Sequence, residues 1–294
     1  MLQYATAAEA EAALGRAMTW SEAAWFRYSA TTPDFCLYCH SVVFVLLVYT
    51  LAPLPLVLLE LRAPAKLTAP YKLQPRVRLS PAAFLRCFKN TLSTIVLSTA
   101  PLPFISYPVF RVMVGIRTGL PLPSPGETAA QLLVYLLVED YLGYWIHRLL
   151  HTEWCYDRIH RVHHEFEAPM GYAAPYAHWA EVFVLGSASF AGLAIVPCHM
   201  VTFWLWFIVR PMEAIDVHSG FDLPFSPTKF IPFYGGAEFH DYHHYVGKRS
   251  KSNFASVFTF CDYIYGTHKG YRYHKAARMA KLQEMAQNNV VGKG

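Results

Sequence analysis

The arrangement of histidines constrains this 294-residue chain more than any other feature of its sequence. Five of its 14 histidines fall within the 18 residues from 147 to 164, where an even distribution would place about one. Eight histidines form three closely spaced boxes: His147 and His151, then His160, His163 and His164, then His240, His243 and His244. Imidazoles at i and i+4 lie on one face of a helix, so each box presents its side chains together.

Such boxes indicate metal binding. Adjacent imidazoles would repel one another as cations, whereas neutral imidazoles can share a metal ion. Eight ligands exceed the four positions of tetrahedral zinc and the six of an octahedral ion, so the boxes predict two metal ions. A sphere made of imidazoles suits iron, zinc, copper or nickel, because magnesium and calcium prefer oxygen ligands.

Three residues outside the boxes are candidates for the same site. His178 and His218 lie between the second and third boxes, each at a polar break beside an apolar segment. Each is either a further metal ligand or a residue that orients one. Asp140 precedes His147 by seven residues and so shares its helix face, where it could orient an imidazole. The alternative for Asp140 is an ordinary carboxylate at a membrane boundary.

The remaining composition indicates a membrane protein. Charged residues make up 15% of the chain, against about 25% in typical soluble proteins. Uncharged stretches lie between Asp34 and Glu60 and over 90–110, 128–138 and 182–209. They predict an all-α integral membrane protein with about four transmembrane helices. Pro197 lies near the middle of the last stretch, which fits a hairpin.

The boxes and the basic residues suggest a topology. The second and third boxes flank the 182–209 stretch, so they can meet only if that stretch turns back. The loop over 62–89 carries seven basic residues and no acidic one, which places it in the cytosol by the positive-inside rule. We therefore expect a cytosol-facing helical cap that holds a histidine-rich site for two metals.

The site and its location favour oxidation of a lipid. A side-chain base cannot remove hydrogen from an unactivated C–H bond, whereas a metal that activates O2 can. Iron is then the expected metal, with electrons supplied from outside, because the sequence has no flavin or nicotinamide fingerprint. It also lacks the basic, aromatic-rich runs of a nucleic-acid-binding protein.

Two other classes of protein use similar residues. A divalent-metal transporter would place histidines inside its membrane segments, whereas these boxes flank the apolar stretches. A zinc-dependent hydrolase of the H-E-x-x-H type would have Glu after the first histidine, and this chain has Arg148. Cys36, Cys39 and His40 match the haem-attachment pattern C-x-x-C-H, but their position at the start of an apolar segment favours two free thiols.

The boxes and their flanking segments resemble a known family. The segments that carry the resemblance are HRLLH (147–151), RIHRVHHEFEAPMGYAAPYAHWAE (158–181), EAIDVHSGFD (213–222), IPFYGGAEFHDYHH (231–244) and CDYIYGT (261–267). They are similar to plant-type sterol 4α-methyl oxidases of the fatty acid hydroxylase/sterol desaturase superfamily. The resemblance extends to YATAAEAEAALGR near the N-terminus, so it covers nearly the whole chain.

The resemblance implies a specific enzyme activity. Such enzymes lie in the endoplasmic reticulum membrane and oxidise a 4α-methyl group of a sterol through alcohol and aldehyde to carboxylate. For this subfamily the substrate would be a 4,4-dimethylsterol similar to 24-methylenecycloartanol. Alternatives within the superfamily are a 4α-monomethylsterol oxidase, a sterol C5-desaturase and a fatty acyl hydroxylase.

It also implies cofactors, partners and domains. The eight box histidines would bind two irons, with His218 as a further ligand and His178 less securely so. O2 would be the co-substrate, and electrons would pass from NAD(P)H through cytochrome b5 and its reductase. A sterol C4-decarboxylase/dehydrogenase and a ketoreductase would act next. The expected domains are an N-terminal membrane region (1–127), a catalytic domain (128–270) and a C-terminal tail (271–294).

Overall fold

Helices form the regular structure of the chain in the computed structural model, which describes residues 4–276. Within that range extended segments pair only at three isolated bridges and no β-strand is present. The all-α class is therefore confirmed for these residues, whereas residues 277–294 of the expected tail lie outside the described range. The helices are α1 (Ala7–Leu14), α2 (Trp20–Thr31), α3 (Asp34–Leu51), α4 (Leu54–Arg62), α5 (Ala65–Thr68), α6 (Pro81–Thr94), α7 (Leu102–Val109), α8 (Pro125–Leu150), α9 (Glu153–Arg158), α10 (Trp179–Ile195), α11 (Met200–Val217), α12 (Gly236–Val246) and α13 (Phe260–Ile264).

Few of the described helices have the length and composition of a membrane span. Helices α3 and α4 form one apolar segment, Asp34–Arg62, which is long enough to cross a bilayer. The segments Pro81–Thr99 and Leu102–Val114 pass the same test only together, and they are bent by 41° at the break between them. Length and composition therefore support one or two crossings among residues 4–276, and the expected number of about four is not confirmed.

The apolar stretch 182–209 does turn back on itself. Helix α10 ends at Ile195 and α11 begins at Met200, so the break includes Pro197. Seven residues to either side of the break the helices meet again, where Trp206 Nε1 donates to the carbonyl of Ser189 at 2.9 Å. The expected hairpin is thus present, and the residues before α10 and after α11 lie at the same end of the molecule.

The hairpin packs between the N-terminal helices and α8. On one side Tyr38 of α3 stacks on Phe203 of α11, with ring centroids 4.9 Å apart. On the other side Gly192 of α10 allows close approach to α8, because a Cβ at this position would lie 2.8 Å from Tyr135 Cα. The Tyr135 hydroxyl donates to the carbonyl of Val196 at 2.7 Å and so closes the turn of the hairpin.

The segment that follows the second box is attached to the first helices. The Tyr172 hydroxyl donates to the carbonyl of Thr50 at the end of α3, at 3.0 Å. In turn, Thr91 Oγ1 of α6 donates to the carbonyl of Tyr172 at 2.8 Å. Because both contacts are buried or partly buried, the N-terminal region fixes the loop that leads from the second box to α10.

We predict that Gly192→Ala destabilises the protein by about 1–3 kcal/mol, since the added methyl group overpacks the contact with Tyr135. Gly186→Ala, in the same helix, is the matched control because its Cβ would meet no atom within 4 Å. Thermal unfolding of the two purified variants measures the difference. Equal transition temperatures would show that α8 and α10 are not in close contact.

Candidate metal centre

The structure brings nine histidines together in two groups. In each group one ligand atom from every member lies within 4.8 Å of those of the others. The first group contains His147, His151, His160, His164 and His243, and the second contains His163, His218, His240 and His244. All nine are buried except His151, which is partly exposed. All eight box histidines and His218 thus lie where a pair of metal ions would need them.

Each group draws on more than one box. The first box lies at the end of α8, the second forms a 3-10 turn (His160–Glu165) and the third lies on α12. The second box contributes His160 and His164 to the first group and His163 to the second. The third box does the reverse, with His243 in the first group and His240 and His244 in the second. The two groups therefore share two backbone segments, the 3-10 turn and α12.

Short distances join the Nε2 atoms within each group. In the first group the separations are 3.1 Å for His147–His160, 3.2 Å for His160–His164 and 2.9 Å for His151–His243. In the second they are 3.2 Å for His163–His218 and 2.9 Å for His218–His240. Two nitrogens bound at right angles to one ion, each at ~2.1 Å, are ~3 Å apart. The observed spacings fit that geometry.

Backbone contacts fix which ring nitrogens face the centre. His163 Nδ1 lies 3.1 Å from the carbonyl of Tyr176, and His218 Nδ1 lies 2.7 Å from that of Ala214. A carbonyl only accepts hydrogen bonds, so both Nδ1 atoms carry the proton and both neutral rings turn an Nε2 lone pair inward. Two lone pairs 3.2 Å apart repel unless a cation lies between them. The second group therefore fits a metal ion.

The first group is held in the same way by the loop after α12. The carbonyl of Phe254 accepts from His147 Nδ1 at 2.8 Å, and that of Ser252 accepts from His243 Nδ1 at 2.8 Å. Asn253, between them, has a φ of 60° and donates its side-chain amide to the carbonyl of Phe239 at 2.8 Å. Asn tolerates this left-handed conformation better than most residues. The loop thus presents two acceptors, one on each side of Asn253.

Asp140 acts on this loop instead of on an imidazole. Its Oδ1 accepts from the backbone N–H groups of Val257 and Phe258 at 2.8 and 3.1 Å. Asp262 holds the preceding part, accepting from the N–H groups of Phe254 and Ala255 at 3.0 and 2.8 Å. The direct contact expected between Asp140 and a histidine is not found, because its position on α8 faces the backbone after residue 256.

A carboxylate that no sequence pattern indicates does contact a histidine. Glu181 Oε1 lies 2.9 Å from His160 Nδ1, and both side chains are almost fully buried. A carboxylate at this position fixes the orientation of the ring and strengthens its other nitrogen as a ligand. The nearest histidine to Glu181 in the sequence is His178, three residues earlier. Nothing in that spacing indicates a contact with His160.

The structure does not bring His178 into either group. His178 is the N-cap of α10, and its Nδ1 accepts from the N–H of Ala180 at 3.2 Å. An N-cap needs an acceptor, so in the neutral ring the proton is on Nε2 and no lone pair is left for a metal. His218 is the C-cap of α11, where its Nδ1–H donates to a carbonyl and leaves Nε2 free.

The haem-attachment pattern has an ordinary structural explanation. His40 Nε2 lies 2.6 Å from the Tyr28 hydroxyl, and its Nδ1 contacts the carbonyl of Cys36. Both ring nitrogens are therefore occupied. Cys36 and Cys39 are free thiols, as are the other four cysteines of the chain.

Burial keeps the clustered imidazoles neutral. It lowers the pKa of His163 to about 4. It also holds the pKa of His240 and His244 well below the usual value, and the charges of the neighbouring imidazoles lower it further. Metal ions bind the neutral form, so the site is in its binding form at neutral pH.

A cavity of about 260 Å³ opens onto the two groups. His147 and His160 of the first group and His163, His218 and His240 of the second line one part of it. The rest of its wall comes from α3, α8, α10, α11 and the α6–α7 segment and is mainly apolar. A largely apolar molecule in this cavity would lie against both groups of histidines.

These features define a helical metalloprotein with a histidine-box centre beside an apolar cavity. Residues 132–267 match the fatty acid hydroxylase family. The chain is 67% identical to the very-long-chain aldehyde decarbonylase GL1-10 of Oryza sativa subsp. japonica, covering 98% of this chain and 94% of that protein. It is 58% identical to methylsterol monooxygenase 1-1 of Arabidopsis thaliana, covering 94% and 92%, and 53% identical to methylsterol monooxygenase 1-2, covering 100% and 98%.

The chain belongs to the fatty acid hydroxylase family, and its similarity to plant methylsterol monooxygenases confirms the resemblance drawn from the histidine boxes. No solved structure matches it significantly.

We predict that His163→Ala lowers the bound metal from about two ions per chain to one or fewer, because it removes a nitrogen from the second group. His178→Asn is the matched control, since Asn can also cap α10 and His178 lies outside both groups. Elemental analysis of the purified proteins gives the metal content. A loss of metal in His178→Asn would instead make His178 a ligand.

We predict that Glu181→Gln weakens metal binding by about 10- to 100-fold, because the amide supports His160 less strongly than the carboxylate. Competition with a chelator measures the affinity. Glu213→Gln changes a half-buried carboxylate outside both groups and should bind metal as the wild type does. Equal affinities in all three proteins would show that Glu181 has no effect on the centre.

Proposed function

We propose that this protein is a sterol C4-methyl monooxygenase that acts on the 4α-methyl group of a 4,4-dimethylsterol similar to 24-methylenecycloartanol. The observation that carries the proposal is the position of two imidazole groups at one part of an apolar cavity. The relatives named methylsterol monooxygenase, 52–58% identical over nearly the whole chain, support the choice of a sterol substrate.

In this proposal the nine clustered histidines hold two iron ions. The ligands to the first are His147, His151, His160, His164 and His243, and those to the second are His163, His218, His240 and His244. Bound iron would supply the activation of O2 that a C–H oxidation requires. The protein contributes the orientation of the rings, through Glu181 and the backbone carbonyls, and a mainly apolar wall that excludes water.

The reaction determines the partners we propose. Conversion of the methyl group to alcohol, aldehyde and carboxylate takes three steps, and each consumes one O2 and two electrons and releases water. We propose that electrons come from NAD(P)H through cytochrome b5 and its reductase. The carboxylate product would pass to a C4-decarboxylase/dehydrogenase, and a ketoreductase would then act on the resulting ketone.

The surface supports a location in a membrane, which we propose is that of the endoplasmic reticulum. Large apolar side chains are more than 70% exposed along the bent helices: Leu97, Phe104, Ile105, Val112 and Met113. Apolar exposure on this scale is typical of a surface that faces lipid or a partner. We propose a multi-pass protein whose histidine boxes face the cytosol and whose substrate enters the cavity from the bilayer.

We propose that residues 128–270 form the catalytic domain, because the family match at 132–267 coincides closely with that range. Residues 1–127 would be its N-terminal membrane region. Contacts of α3 with α11, and of α6 with the loop after the second box, support a role for this region in closing the cavity.

A second candidate function follows from the rice relative. At 67% identity that protein is named as acting on very-long-chain aldehydes. A long-chain aldehyde is flexible and apolar, so it could also enter an apolar cavity beside the histidines. The two functions differ in their substrate and product, and one experiment can separate them.

We predict that the iron-loaded protein in lipid nanodiscs, supplied with O2, NADH, cytochrome b5 and its reductase, oxidises a 4,4-dimethylsterol to the 4-carboxylate. Mass spectrometry of extracted lipids detects the product. His163→Ala should lower this turnover by at least about 100-fold, because removal of a metal ligand disables the centre.

A very-long-chain aldehyde supplied in a parallel reaction tests the second candidate. Formation of an alkane one carbon shorter, with an unchanged sterol, would reverse the assignment. Parallel reactions with a 4α-monomethylsterol and a fatty acyl substrate test the other activities of the superfamily.

A further inference from the structure

A buried ion pair lies in the wall of the cavity, outside the two histidine groups. Arg210 Nε of α11 is 2.9 Å from Glu139 Oε1 of α8, and the two side chains are 16% and 6% exposed. Arg210 also donates to Ser256 Oγ at 2.7 Å. All three residues line the cavity. Neither residue of this pair belongs to the two histidine groups.

The helix register relates the pair to the histidines. Glu139, Gly143 and His147 are at i, i+4 and i+8 on α8, so they share one face, and all three line the cavity. On α11 Arg210 precedes His218 by the same eight residues.

Glycine at 143 leaves room beside the carboxylate. A Cβ at this position would lie 4.0 Å from Glu139 Oε1, so any larger side chain would occupy the space next to that oxygen. Gly143 is buried and lines the cavity. The cavity thus reaches the carboxylate between the ion pair and His147.

One oxygen of this carboxylate lacks a hydrogen-bond donor. Glu139 is 5% exposed, and among the described residues its Oε2 has no hydrogen-bond partner. A buried acceptor without a partner is destabilising, and hydrogen bonds to charged groups are stronger than neutral ones. Because Glu139 lines the cavity, its carboxylate has capacity left to accept a hydrogen bond from an O–H group of a ligand bound beside it.

A sterol carries such a group close to the reacting carbon. Its hydroxyl is on C3, which is bonded directly to C4, the carbon that bears the methyl groups. A substrate that points a C4 methyl at the histidines must therefore bury its hydroxyl in the same part of the cavity. Burial without a partner would weaken binding, so an acceptor is needed near the histidines.

We propose that Glu139, positioned by Arg210, accepts a hydrogen bond from the substrate hydroxyl and makes the enzyme selective for sterols with a free 3β-hydroxyl. This inference rests on the proposed sterol oxidation. It makes Glu139 a residue that determines specificity, whereas Arg210 is a positioning residue that acts through Glu139.

A second carboxylate lines the cavity and needs a separate test. Glu181 also has an oxygen without a partner among the described residues, but its Oε1 lies against His160. We assign it to the metal centre for that reason. Glu139 has no such contact with a histidine and is held by Arg210.

The experiment compares two substrates in the iron-loaded protein. One is the 4,4-dimethylsterol and the other is its 3-O-methyl ether, which cannot donate a hydrogen bond. We expect kcat/KM to be about 10- to 100-fold higher for the free hydroxyl, as for a hydrogen bond to a charged group. The Kd of each radiolabelled sterol should show the same preference without depending on turnover.

Glu139→Gln should reduce this preference to a few-fold, mainly by weakening binding of the free sterol and with little change for the ether. If Glu139 had only a structural role, kcat/KM would fall equally for both substrates, and the ratio of the two kcat/KM values would not change. Glu213→Gln is the matched control, because Glu213 is on α11 near Arg210 but does not line the cavity. The preference of this variant for the free sterol over the ether should equal that of the wild type.

A second pair of variants leaves the ion pair intact in case Glu139→Gln does not fold. Gly143→Ser adds a hydroxyl that can donate to the Glu139 carboxylate, and Gly143→Ala adds only the methyl group. We expect the serine variant to lose several-fold more affinity for the free sterol than the alanine variant. Equal affinities in the two variants would argue against Glu139 as the acceptor.

The outcomes separate this inference from the proposed function. If the wild type oxidises neither sterol, sterol oxidation itself is wrong. If it oxidises the free sterol and the ether equally well, only the role of Glu139 is wrong. Loss of the preference in Glu181→Gln but not in Glu139→Gln would transfer the role to Glu181.

Discussion

The hydrogen bonds between imidazole Nδ1–H groups and backbone carbonyls are the interaction on which this structure depends. They turn the Nε2 lone pairs of His147, His163, His218 and His243 inward. Such an arrangement is repulsive without a cation and stable around one. The carbonyl acceptors lie on three separate segments of the chain, so the fold must hold these segments at fixed positions relative to one another. Asp140 and Asp262 do this for the loop after α12 by binding four of its N–H groups.

The hairpin of α10 and α11 makes this arrangement possible. Its turn returns the chain to the end of the molecule where the second box lies. His218, at the end of α11, therefore lies beside imidazoles of the second and third boxes. The same pair of helices, together with α8, also forms the wall of the cavity. One arrangement of helices therefore assembles the metal centre and encloses the space beside it, which connects the fold directly to the chemistry.

Part of this site could be predicted from the sequence. The boxes and the turn at Pro197 could be predicted because each depends on local spacing or on the backbone chemistry of proline. The carbonyl acceptors could not, since every residue has a carbonyl and composition does not mark the ones in use. His178 and His218 look equivalent in sequence, yet one begins a helix and the other ends one. That difference determines which nitrogen is protonated, and it becomes visible only when the helix ends are known.

The division of the second and third boxes between the two groups has a mechanical consequence. The 3-10 turn His160–Glu165 supplies both groups, and so does α12. An ion bound in either group would stiffen the backbone that carries ligands of the other, so the second ion would have less backbone left to order. The two positions would then be coupled through shared peptide units even without direct contact between the ions.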